Sequence, residues 1–132
     1  MTTPEQVGTD VDVIEVRTPA DVAYVSTLRL TAASLASRCD LTIDDIEDLR
    51  LAVDEACALL LPHATVSSPL DARFEVGAGE LRVHTSVATS GPADPDRDGF
   101  AWTVLGALAT AVDVDAGADR LTITVAKKRE PQ

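Results

Sequence analysis

No stretch of this 132-residue chain comes near the roughly 18 to 20 consecutive apolar residues of a membrane span. The first ten residues are polar and lack the charged-then-apolar pattern of a signal peptide. Both absences point to a cytoplasmic protein with no membrane partner. Cysteine is scarce: Cys39 and Cys57 are the only two. Each falls in or beside a helical pattern, where a free thiol acts as a small apolar residue. A structural disulfide does not suit the cytosol, and two cysteines without a nearby histidine pattern make no zinc site. His63 and His84 stand isolated, so no metal site is expected. Basic residues are few, 11 against 22 acids, for a net charge of −11. Such a surface repels phosphate backbones, which argues against a nucleic-acid partner. It suits instead a protein partner with a basic patch. Internal repeats and low-complexity segments are also missing.

What is present is a packed globule, with 45% apolar residues and a length suited to one domain. Its centre is the run from Asp44 to Leu61. Thr42 reads as the N-cap and Asp45 as its capping-box partner. Asp44 and Asp45 place negative charge at the positive end of the helix dipole, and Pro62 ends the ladder. At about 100° per residue, Ile46, Leu49, Val53, Ala56, Cys57 and Leu60 share one face. Ala52 and Leu59 widen that face, so the helix should be buried on more than one side. Glu55 sits at the edge of the apolar arc. It is either a solvated edge acid or a carboxylate aimed into a cleft.

The other elements follow in order. Val11 to Arg17 alternates as a strand with one slip. Thr18, Pro19 and Asp21 read as a helix start, with the helix reaching about Ser37. Two strands, Asp71 to Gly77 and Glu80 to Ala88, are joined by a tight turn at Gly77 to Gly79. Thr89 to Asp98 is a loop. Gly99 opens a third helix with Phe100, Val104, Leu108 and Ala111 at helical spacing, in which Phe100 and Trp102 read as packing residues. A short strand at Ala111 to Val114 and a last strand from Leu121 to Ala126 complete the chain. The expected fold is α+β: a two-layer sandwich of a mixed, mostly antiparallel sheet with three helices on one face. The expected organisation is a tail over 1–10, one domain over 11–127 and a C-terminal tail over 128–132, with the charged stretch from Lys127 to Gln132 frayed.

The central helix, with Leu49 to Cys57 at its heart, resembles the N-box helix of the GHKL (Bergerat) ATPase fold. More narrowly it is similar to the bacterial anti-sigma-factor serine kinases of the RsbW and SpoIIAB type, including actinobacterial members. The resemblance covers about Val11 to Lys127. It implies a Glu acting as general base and an Asn one turn later holding the magnesium of ATP. Glu55 stands at the Glu position, but Leu59 stands at the Asn position and offers no oxygen. The adenine-reading Asp is missing from Val83 to Gly91, where Thr85 or Ser86 could give a weaker hydrogen bond. The glycine-rich lid falls at Arg97 to Leu105. That makes Arg97 and Gly99 the phosphate-side candidates, with Ala101 in place of a second glycine and Asp98 repulsive.

Three altered nucleotide contacts point to a degenerate ATP site with no cofactor expected. The resemblance further implies a grip on a sigma factor through the first helix, with Ser26 and Arg29 at the matching positions. The expected function is sequestration of an alternative RNA polymerase sigma factor, relieved by a STAS-type antagonist, in a homodimer. The alternatives are an active serine/threonine kinase of that antagonist, with Glu55 as base and Mg-ATP as cofactor, and an α/β domain whose likeness is only architectural.

Overall fold

The computed structural model describes residues 11–130. The tail expected over 1–10 lies outside the described residues, as do 131–132. In order the elements are β1 (Asp12–Pro19), a 3-10 turn (Val22–Tyr24), α1 (Val25–Ala36), α2 (Ile43–Leu60) and a second 3-10 turn (Leu61–His63). They continue with β2 (Pro69–Gly77), β3 (Glu80–Ala88), α3 (Phe100–Leu108), β4 (Ala111–Ala116) and β5 (Arg120–Lys128). The strands form one sheet in the order β1-β2-β3-β5-β4. Every pairing in it is antiparallel, so the sheet is purely antiparallel rather than mixed.

The capping box forms as the sequence predicts. Asp45 N–H donates to Thr42 Oγ1 at 3.1 Å, and Thr42 N–H returns to Asp45 Oδ2 at 3.4 Å. The inward face of α2 is fully buried at Leu49, Ala52, Val53, Ala56, Cys57 and Leu60. Ile46 and Leu59 pack against that core from its margins. Helix α2 touches α1, α3, β3 and β5, which is why its apolar arc is wider than one face requires. From the sheet, Leu70, Phe74, Leu81, Val83, Leu121 and Ile123 complete the core without exposure. Burial pushes the Cys57 thiol up to about 12 and also raises that of Cys39. Both are free and chemically quiet.

Several boundaries differ from the sequence expectation where tertiary pairing wins over local signals; β2, for one, starts at Pro69 rather than Asp71. Thr18 is not a helix cap: β1 runs on to Pro19, which pairs with Pro69. An edge strand tolerates a proline there. Asp21 caps instead, accepting from Ala23 N–H at 2.8 Å, and α1 begins only at Val25. At the other end, Lys127 and Lys128 are strand, not frayed tail. Lys127 pairs with Leu81, and its ammonium donates to Leu108 O at 2.9 Å and Asp48 at 3.2 Å. Ala111 starts β4, which is two residues longer than expected. In α3 only Leu105 is fully buried; Phe100 is 83% exposed and is no packing residue.

The β2–β3 turn needs its glycine. Gly79 sits at φ +77°, a left-handed conformation that glycine adopts without penalty. Its N–H donates to Cys39 O at 2.8 Å, and its carbonyl accepts from Arg129 N–H at 2.7 Å. The hairpin tip is thereby tied to the α1–α2 turn and to the end of β5.

Candidate functional site

Helix α2 carries Glu55 on its outward shoulder, partly buried. A shallow groove opens there between α1 and α2, lined by Val22, Val25, Ser26, Arg29, Asp54, Glu55, Ala58 and Leu61. Three residues singled out from sequence for two different roles, Ser26, Arg29 and Glu55, therefore share one groove. Thr85, Arg97 and Gly99 do not line it. Arg29 is already engaged: Nη1 donates to Asp54 Oδ1 at 3.0 Å and Oδ2 at 2.9 Å. This pair clamps α1 to α2.

Glu55 differs from every other partly buried carboxylate of the described residues. Asp45 and Asp48 share Lys127, and Asp54 holds Arg29. Asp71 lies between Arg17 and Arg120. Glu75 takes Arg73 and His84, and Glu80 takes Arg82. Glu55 makes no ion pair or hydrogen bond with any described residue, unlike those six.

One turn beyond it, on the same side of the helix, Leu59 packs its side chain against the core. A hard cation needs oxygen ligands, and that position supplies none. Among the described residues no group of three or more His, Cys, Asp or Glu is arranged to hold a metal.

Along β3, side chains alternate between the two faces. Thr85 turns into the core, fully buried, and its hydroxyl donates to Ile123 O at 3.0 Å. Ser86 turns to the open sheet face and accepts from Arg120 at 2.8 Å. Just past the end of β3, Thr89 forms an isolated bridge with Ala64. Its hydroxyl donates to Gly91 O at 2.7 Å and its N–H to Asp119 O at 2.8 Å.

At the start of α3, Gly99 is the N-cap with no side-chain cap. The space where its Cβ would project is taken by Asp96, whose Oδ2 lies 2.8 Å from that point. Asp96 also accepts from Asp98 N–H at 3.1 Å. Arg97 donates to Asp94 at 2.9 Å and lies over the Trp102 ring at 5.7 Å. The helix start is thus surrounded by carboxylates, which disfavour a second anion. Leu59, the Thr85 hydroxyl held by Ile123 O and these aspartates are the features of the described residues that bear on nucleotide binding.

A family model for the histidine kinase-like ATPase domain matches residues 18–127. The serine-protein kinase RsbW of Bacillus velezensis is 42% identical over 87 residues, 64% of this chain and 53% of the relative. RsbW of Bacillus thuringiensis is 37% identical over 78 residues, 59% of this chain and 49% of the relative. The matched region thus spans about half the length of these curated relatives. A crystal structure of the RsbU and RsbW domains of a Mycobacterium tuberculosis protein superposes with a TM-score of 0.68 at 15% identity. It covers 89% of this chain and 32% of that one.

Proposed function

The chain belongs to the histidine kinase-like ATPase domain family, and from that membership we propose that it acts by binding protein partners rather than by turning over ATP. A likeness of architecture alone does not account for a family match across 18–127. In this reading the protein sequesters an RNA polymerase sigma factor through α1, with Ser26 and Arg29 in the contact, and a STAS-type antagonist competes for it. A homodimer paired along the β1 edge belongs to the same reading. None of this needs a nucleotide, so it survives loss of the ATP site.

The observation that carries the proposal is Leu59, apolar and packed against the core one turn past Glu55. Calorimetric titration with ATP, with and without magnesium, tests it. No heat of binding is expected at micromolar nucleotide; micromolar affinity that depends on magnesium would overturn the reading.

One observation favours a second reading. The Glu55 carboxylate has no partner among the described residues, and a serine kinase needs a positioned carboxylate or similar group as its base. Phosphate transfer to a serine of the antagonist would then require magnesium ligands from elsewhere, and the same titration decides between the two.

A further inference from the structure

The α1–α2 groove combines apolar walls with one unanswered charge. Val22, Val25, Ala58 and Leu61 line it, and Val22 stands 76% exposed. Arg29 and Asp54 neutralise each other at its side. Glu55 is left as the uncompensated charge, on a chain whose net charge is −11. We propose that this groove receives a lysine or arginine side chain borne on an amphipathic helical segment of a protein partner, with Glu55 as its counter-ion. The aliphatic stem of such a residue lies along Val22 and Ala58 while its cation reaches the carboxylate. The apolar face of the segment covers the rest of the groove. A carboxylate from the partner is disfavoured, because Arg29 already spends Nη1 on Asp54 and Glu55 repels it. The inference rests on the partner-binding reading of α1 and adds the partner's chemistry.

The test uses the full chain, isotope-labelled, and a short amphipathic peptide of leucine, alanine and lysine. A second peptide has norleucine in place of lysine. The lysine peptide is expected to shift the amides of Val22, Ser26, Ala58 and Leu61, with the norleucine peptide binding more weakly. Glu55→Gln should weaken the lysine peptide about fivefold, the scale of a partly exposed ion pair. Asp113→Asn removes the same charge from an exposed position on β4 and should leave affinity unchanged. Equal losses in both variants, shifts confined to other surfaces, or equal binding of the two peptides would overturn the proposal.

Titration of purified sigma factors from the source organism separates this inference from the reading beneath it. If wild type and Glu55→Gln capture a sigma factor equally, the groove assignment fails and sequestration stands. If no sigma factor binds but the peptide results hold, sequestration fails and the groove assignment stands.

Discussion

Asp71 shows how single residues divide between legible and hidden. The sequence marks it only as the first residue of a strand. In the fold it accepts from Arg17 Nε at 2.7 Å and Arg120 Nη2 at 2.6 Å, partners 54 and 49 residues away. The hydrogen bond from Arg17 is the largest influence; with Arg120 it outweighs burial and holds the Asp71 carboxyl below its usual range. A carboxyl lowered on folding adds stability that is fully present above its unfolded pKa, about 3.9. That stability is lost as pH falls through the folded value. Asp71→Asn should therefore flatten the acid limb of the melting-temperature profile below about pH 4. At neutral pH it should cost no more than about 1 kcal/mol, since the cluster is partly solvated. An unchanged acid limb would show that the arginines do not stabilise the anion. Glu75 adds to the same limb: burial raises its pKa, but His84 and Arg73 together lower it further. Glu55 was legible as a candidate because of its place on the helical arc. That it lacks a partner was not legible, because a partner is a property of space.

At the scale of elements, legibility follows the strength of local signals. Helix α2 has both ends written into it: the structure keeps Thr42 as its N-cap and ends the α-helix at Leu60, with Pro62 in the 3-10 turn that follows. Its capping box predicts a measurable cost: Thr42→Ala should lower unfolding free energy by about 1 kcal/mol. In urea the midpoint should fall with the slope unchanged; no loss would mean that Asp45 or water replaces the cap. Strand β3 runs from Glu80 to Ala88 as read, because alternation and a glycine turn agree. The start of α1 misleads, since Thr18 and Pro19 carry a helix-start pattern but pair with Leu70 and Pro69 in the sheet. Helix α3 misleads in its apolar face. Only nine residues long, it has one fully buried side chain, and its spacing does not reveal which residue that is.

For the whole molecule, the two sheet edges are β1 and β4. The β1 edge carries Val13, 47% exposed, with Val11 just before it 44% exposed, and an edge of this kind offers unpaired backbone groups to a second chain. Light scattering of the purified protein is expected to give twice 13.9 kDa, and Val13→Lys should shift it toward the single mass. A wild-type monomer at tens of micromolar would remove the homodimer from the proposal. By itself the sequence determined the two-layer class, the central helix with its caps, and the apolar residue one turn past Glu55. These are encoded in periodicity, capping chemistry and side-chain type, all of them local. Only the tertiary structure decided that the sheet is wholly antiparallel, that Arg29 is spent on Asp54, and that Ser26 and Glu55 face one groove. Each of these depends on residues far apart in the chain being brought within contact distance, and no local pattern carries that.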